Sequence, residues 1–134
     1  MTSWTWDFGD GSPTSNAQNP SRTYATAGTY TVTLNVGSAA GCQTVTKFAT
    51  HNITVNPLPQ ANFNTITPGC VGKVVSFSDA SVANAGSIVK WTWNFGDGNS
   101  ATNPVGGTVN NTYANTGNYN VTLQVETDKG CIST

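Results

Sequence analysis

Residues 4–11 read WTWDFGDG, and nearly the same octapeptide, WTWNFGDG, returns at residues 91–98. A second stretch behaves in the same way, since TYATAGTYTVTLNV at 23–36 returns as TYANTGNYNVTLQV at 112–125. The first pair is offset by 87 residues and the second by 89. Self-similarity with a nearly constant phase indicates copies of one supersecondary unit, so the repeat decides the fold.

The second stretch alternates apolar and polar residues in both copies. This period of two predicts a half-buried β-strand with one face inward, and no helical pattern competes with it. We therefore predict an all-β protein. The apolar row comprises Tyr30, Val32, Leu34 and Val36 in the first copy, and Tyr119, Val121, Leu123 and Val125 in the second.

Each octapeptide carries a pair of tryptophans two residues apart, followed by a phenylalanine in the same row. Such a face has a large apolar area, and burying it stabilises a core. The alternative, an aromatic platform for a ligand, requires the rings to be exposed. The aromatic residues predicted in the core are Trp6, Phe8, Trp93, Phe95, Tyr30 and Tyr119.

A Gly-Asp-Gly sequence ends each octapeptide. Glycine adopts positive φ at little cost, and an aspartate side chain accepts hydrogen bonds from backbone amides just beyond it. We predict a tight turn here rather than a phosphate-binding loop, because no helix pattern follows. The turn residues are Gly9, Asp10, Gly11, Gly96, Asp97 and Gly98.

The composition of the chain excludes several classes of function. Charged residues make up 8% of the chain and the net charge is -1, which argues against a nucleic-acid partner. No stretch approaches the roughly 18 apolar residues of a membrane span. His51 is the only histidine and no catalytic motif surrounds it, so we expect no enzyme. Abundant Thr and Asn favour an extracellular location.

These motifs resemble the PKD (polycystic kidney disease) repeat, whose pattern is a Trp-Asp/Asn-Phe-Gly-Asp-Gly turn followed by a Tyr-Xaa-Val-Thr-Leu strand. The matching residues are 6–11 with 24–36, and 93–98 with 113–125. The resemblance implies an Ig-like antiparallel β-sandwich in tandem modules. The Gly-Cys that follows the strand resembles repeats in large secreted proteins of the Bacteroidetes group.

The family's opening strands resemble sequence ahead of the second copy only. We therefore expect residues 1–56 to be the C-terminal part of a first module without its opening strands. Residues 57–134 are expected to be a second module without its final strand. The junction NPLPQ, residues 56–60, carries two prolines and predicts a short, semi-rigid spacer.

The offset between the two copies also determines which of the three cysteines correspond. Cys42 and Cys131 occupy equivalent positions, while Cys70 lies in the opening segment that the first copy lacks. We predict a Cys70–Cys131 disulfide with Cys42 left unpaired; buried free thiols are the alternative. No CxxC spacing supports zinc.

The resemblance implies a non-catalytic spacer of a large surface or secreted protein, with neighbouring modules as partners. The alternatives are a polysaccharide- or protein-binding module using Tyr24 and Tyr113, and a unit that donates strands in a head-to-tail filament. We expect no cofactor; calcium, which some family members bind, would use Asp79 and Asn84.

Overall fold

The sequence boundary between the two copies is also a structural one. The computed structural model describes residues 2–38, 47–66 and 69–134, and the chain divides into two compact units, Met1–Asn56 and Pro57–Thr134. The division falls inside the proline-bearing junction.

The first unit is a three-stranded antiparallel sheet of order β1-β2-β3 within the described residues. Its central strand pairs Leu34 with Trp6 on one side and with Ala49 on the other. The predicted alternating strand is therefore the middle of the sheet. The strands are β1 (Thr2–Asp7), β2 (Gly28–Ser38) and β3 (Lys47–Val55).

The second unit has two antiparallel sheets. In the described part of the unit, one sheet has the order β4-β5-β8 and the other β10-β9-β6-β7. The predicted all-β, Ig-like sandwich is confirmed. The strands are β4 (Phe63–Thr65), β5 (Val74–Asp79), β6 (Ile88–Asn94), β7 (Ser100–Asn103), β8 (Thr108–Thr112), β9 (Thr122–Thr127) and β10 (Ile132–Ser133).

The core of the second unit lies between its two sheets and centres on Trp93, which is 1% exposed. The ring of Phe63 meets Trp93 edge to face at 5.2 Å, a favourable geometry for aromatic quadrupoles. Trp91 is buried as well, as expected for two residues on one face of a strand. The other buried core residues are Val75, Phe77, Phe95, Val109, Leu123 and Val125.

The aromatic residues of the first unit are less buried than those of the second. Phe8 is buried, but Trp6 is only half-buried, and its indole nitrogen donates a 3.1 Å hydrogen bond to the carbonyl of Ala17. Trp6 corresponds to Trp93 in the second unit. The difference arises because the described residues of the first unit place no second sheet over this face.

The predicted strand of the second copy is shorter than expected. The alternating row suggested a strand through Tyr119, but β9 begins only at Thr122. Tyr30, its counterpart, lies within β2, opposite Ile53 of β3. Both tyrosines are half-buried rather than fully buried, and their hydroxyls donate hydrogen bonds to the carbonyls of Thr26 and Asn115, at 2.7 and 2.9 Å.

The described residues contain no helix long and apolar enough to span a bilayer.

Candidate functional site

The Gly-Asp-Gly turn is closed by side-chain oxygens that accept from backbone amides. In the first unit Asp7 Oδ1 accepts from the amide of Gly9 at 2.9 Å. In the second unit Asn94 Oδ1 accepts from the amide of Gly96, also at 2.9 Å. The aspartate inside each turn accepts in the same way from the amide two residues beyond it, at 3.1 and 2.9 Å.

The first glycine of each turn has two reasons to be glycine. Gly9 and Gly96 have φ of 71° and 77°, in the left-handed region. A Cβ on Gly96 would also lie 2.7 Å from the carbonyl oxygen of Asn120, and one on Gly9 would lie 2.5 Å from that of Thr31. The backbone at Thr31 in β2, and at Asn120 just before β9, thus packs directly on the turn.

The two units hold the turn aspartate with different chemistry at equivalent positions. In the first, Arg22 forms an ion pair with Asp10 and its Nε donates a 2.7 Å hydrogen bond to Asp10 Oδ2. The guanidinium also lies 5.7 Å from the centre of the Phe8 ring. In the second, Asn111 takes that place, and its Nδ2 donates to Asp97 Oδ2 at 2.7 Å.

These donors lower the pKa of both carboxyl groups. The hydroxyl of Ser12 is the main cause of the lowered pKa of Asp10, with Arg22 contributing. The amide of Asn111 is the main cause of the lowered pKa of Asp97. Both carboxylates are ionised at neutral pH and are used in holding the turn, as predicted. Neither has the raised pKa of a general acid.

A pair of stacked tyrosines fastens each turn to the segment that contains Tyr30 in the first unit and Tyr119 in the second. The hydroxyls of Tyr24 and Tyr113 donate to the carbonyls of Phe8 and Phe95, each at 3.1 Å. Their rings stack on Tyr30 and Tyr119, with centroids 4.2 Å apart in both units. The rings and hydroxyls of Tyr24 and Tyr113, which the alternative of a ligand-binding module would use, thus make contacts within their own units.

The structure does not contain the predicted disulfide. Cys70 and Cys131 are free thiols, and Cys70 is exposed. Cys70 lines a cavity with Val121, just before β9, whereas the carbonyl of Cys131 accepts from the amide of Thr127 at its far end. Six strand positions separate these points by about 20 Å, while a disulfide needs Cα atoms within about 7 Å. Cys42 lies outside the described residues.

The residues considered for calcium have other partners. Asp79 Oδ1 accepts from the amide of Ser81 at 3.1 Å, and Asn84 Nδ2 donates to the carbonyl of Leu58 at 2.8 Å. Across the described ranges, no group of three or more His, Cys, Asp or Glu side chains is placed to hold a metal ion. His51 is exposed on β3.

The structure shows one feature that sequence reasoning missed, a cavity of about 680 Å³ beside the start of β9. Apolar and aromatic side chains line it, including Phe77, Tyr119 and Val121. The sequence did not predict this cavity, because the residues before β9 are nearly the same as those at the start of β2 in the first copy.

Three features define the class of protein as an Ig-like β-sandwich module: the sandwich, the Gly-Asp-Gly turn, and the stacked tyrosines that bond to it. A family model described as "PKD domain" matches residues 1–55 and again 56–134. The chain therefore belongs to the PKD domain family.

Two kinds of curated relatives show where similar sequence occurs. The chain is 31% identical over all of its 134 residues to "Pre-pro-metalloprotease PrtV" of Vibrio cholerae serotype O1, strains M66-2 and ATCC 39315 / El Tor Inaba N16961. It is 40% identical over 78 residues, or 56% of the chain, to "Collagenase ColQ1" of Bacillus cereus strain Q1. The matches span 14% and 8% of these relatives' lengths.

Proposed function

We propose that this chain is a non-catalytic, extracellular spacer segment of a larger protein. The main support for the proposal is that the polar groups of the family motif make hydrogen bonds within their own unit in both copies. The turn carboxylates, their Arg22 or Asn111 donors and the tyrosine hydroxyls all bond within the unit. A motif whose polar groups are engaged in this way makes a unit rigid and has few groups left for chemistry.

The junction supports the same role. Gln60 exchanges backbone hydrogen bonds of 2.8 and 2.9 Å with Val82, and the carbonyl of Leu58 accepts from Asn84. Pro59 between them is buried. Most of the proline-bearing segment is therefore fixed to the second unit, which leaves few rotatable bonds at Asn56 and Pro57 to act as a hinge.

The relatives support the extracellular, accessory part of the proposal. A metalloprotease and a collagenase carry sequence similar to this chain over a small fraction of their lengths. Collagen is an extracellular substrate. We take the present chain to play a comparable supporting part in its own parent protein, apart from any catalytic domain.

Small-angle X-ray scattering of the chain tests the spacer role. If the junction is restricted, the scattering should fit a single narrow distribution of the radius of gyration. The variant with Pro57→Gly and Pro59→Gly should broaden it, since glycine frees the backbone. The matched control is Pro104→Gly, which changes an exposed loop of the second unit. A distribution that is already broad in the unaltered chain, and equal to that of the double variant, would contradict the proposal.

A further inference from the structure

The Gly-Asp-Gly turn contains the same chemically reactive peptide bond in both units. When glycine follows aspartate, the glycine amide can attack the aspartate carboxyl group, because no Cβ on the glycine hinders the approach. The dipeptide occurs twice in the chain, at Asp10-Gly11 and at Asp97-Gly98, and the related Asn-Gly dipeptide does not occur. Each motif turn therefore carries one site of this reaction.

The reaction is an isomerisation that needs only water. In the second unit, the amide nitrogen of Gly98 forms a bond to Cγ of Asp97, and the protonated carboxyl group loses its hydroxyl, which leaves with the amide proton as water. The product is a five-membered succinimide ring. Water then opens the ring. Opening at Cγ restores aspartate, whereas opening at the backbone carbonyl gives isoaspartate, in which the chain runs through Cβ and Cγ. One water is released and one is consumed, so the mass does not change.

The turn needs a glycine after the aspartate. Gly11 and Gly98 have φ of 75° and 93°, in the left-handed region that other residues rarely adopt. Both glycines are exposed, and a Cβ at either would meet nothing within 4 Å. The backbone conformation thus requires the residue that makes the bond reactive, and the space beside it is open.

The carboxylate of Asp97, by contrast, is held from several directions. Its Oδ1 accepts from the amide of Asn99 at 2.9 Å. Its Oδ2 accepts from Nδ2 of Asn99 at 3.0 Å and from Nδ2 of Asn111 at 2.7 Å. These donors fix the orientation of the group and favour its ionised form, which has no hydroxyl to lose. Asn111 is buried, so its amide is shielded from competing water.

The first unit holds Asp10 in an equivalent way. Its Oδ1 accepts from the amide and the hydroxyl of Ser12, and Arg22 donates to Oδ2. Arg22 and Asn111 occupy the same position of the repeat, 89 residues apart. The residue type differs between the two units, yet the hydrogen bond to the same carboxylate oxygen is present in both. The bond itself is therefore the common feature.

We infer that Asn111 and Arg22 protect the two Asp-Gly bonds from isomerisation, and that Asp97 and Asp10 are the sites at which the chain forms isoaspartate when these donors are lost. Isoaspartate would add one CH₂ group to the backbone of the turn and move the carboxylate away from its donors. The lowered pKa of both carboxyl groups agrees with this role, since little of the reactive protonated form is present at neutral pH. Protection is distinct from stabilisation, because it concerns the rate of a covalent reaction within the folded chain.

Ageing of the full chain tests both sites at once. The unaltered protein, Asn111→Ala and Arg22→Ala are incubated in mildly acidic buffer, and isoaspartate is measured by peptide mapping with fragment ions that separate it from aspartate. We expect Asn111→Ala to raise the rate at Asp97 by at least ~3-fold and to leave Asp10 unchanged, because loss of a donor raises the protonated fraction of its own carboxyl group. Arg22→Ala should do the reverse. Asn99→Ala, at an exposed position, removes a different donor and should also accelerate Asp97 alone.

Two controls separate protection from a general loosening of the fold. Tyr113→Phe weakens the second unit but keeps every donor to Asp97, so Asp97 should react in it as slowly as in the unaltered chain. A synthetic peptide of residues 93–102 gives the unprotected rate, which should exceed that of the folded chain by at least ~10-fold. An unchanged rate at Asp97 in Asn111→Ala, or equal acceleration in Asn111→Ala and Tyr113→Phe, would overturn the inference. Equal rates in the peptide and the folded chain would overturn it as well.

Discussion

The hydroxyl of Tyr113 donates a 3.1 Å hydrogen bond to the backbone carbonyl of Phe95, eighteen residues earlier. Tyr24 makes the same bond, at the same length, to Phe8 in the first unit. The recurrence indicates that the bond belongs to the repeat itself. It ties the residue before the Gly-Asp-Gly turn to the segment leading into the next strand, much as the tyrosine corner does in Ig domains.

Tyr113→Phe tests this bond. The variant keeps the ring that stacks on Tyr119 but leaves the carbonyl of Phe95 without its donor, so we expect a loss of about 1 kcal/mol in unfolding free energy. Urea denaturation followed by tryptophan fluorescence measures it. Tyr24→Phe, the equivalent change in the first unit, should leave the second unit's transition unaltered. An unchanged midpoint for Tyr113→Phe would show that water replaces the tyrosine at no cost.

Gly96→Ala and Gly98→Ala separate close packing from backbone strain. Both glycines have positive φ, 77° and 93°, but only at Gly96 does a Cβ meet the backbone of Asn120, whereas at Gly98 nothing lies within 4 Å. We expect Gly98→Ala to cost about 1–2 kcal/mol from strain. Gly96→Ala should cost clearly more, because the backbone at Asn120 must also move. Equal losses in thermal and urea unfolding would mean that the Asn120 contact relaxes freely.

Asn111→Asp places a second carboxylate beside Asp97. The buried amide that donates the 2.7 Å hydrogen bond is lost and a like charge replaces it, so we expect a loss of at least about 2 kcal/mol at neutral pH. The neighbouring carboxylate raises the pKa of the new group in the folded state, so the loss should shrink as pH falls and the group is protonated. Asn64→Asp, the same change at an exposed site, is the control. A loss that does not depend on pH would contradict the role assigned to Asn111.

The lowered pKa of Asp97 predicts the response to acid. A carboxyl whose folded pKa lies below its ordinary value of 3.8 stabilises the fold above that value, and its contribution disappears as pH falls through the folded pKa. Stability should therefore decline between about pH 5 and pH 2. Urea midpoints across this range should fall less steeply in Asp97→Asn than in the unaltered chain. Parallel curves would show that other groups cause the acid sensitivity.

The free thiols predict a simple labelling pattern. Without reductant, Cys70 and Cys131 should both react with iodoacetamide, Cys70 faster because it is exposed and Cys131 is half-buried. Peptide mapping by mass spectrometry gives the two rates. Recovery of a linked Cys70–Cys131 peptide would contradict the placement of these residues at opposite ends of β9.

Much of the fold follows from local patterns. The period-two row from Tyr30 to Val36 predicted a strand and produced β2, and the tryptophans two residues apart predicted the buried face that contains Trp91 and Trp93. Asp10 and Asp97 were expected to bond the amides beyond them, and they do. These successes share a cause: side-chain alternation and turn geometry depend on residues close in sequence.

The site was less predictable because its contacts are distant in sequence. Nothing in the single sequence marked Arg22 and Asn111 as the donors to the turn carboxylates, although their equivalent positions in the repeat were a usable signal. The disulfide prediction treated two cysteines of one module as neighbours. The structure separates them along β9.

The sequence by itself determined that this protein is made of repeated β-strands and glycine-aspartate turns, since each of those features is encoded within a few residues. Only the tertiary structure decided how far the repeated strand extends. GTYTV at residues 28–32 is strand because β3 pairs with it, whereas GNYNV at residues 117–121 lies beside a cavity of about 680 Å³ and is not strand. A strand is completed by hydrogen bonds to a neighbouring chain segment, so its length depends on which segment lies alongside.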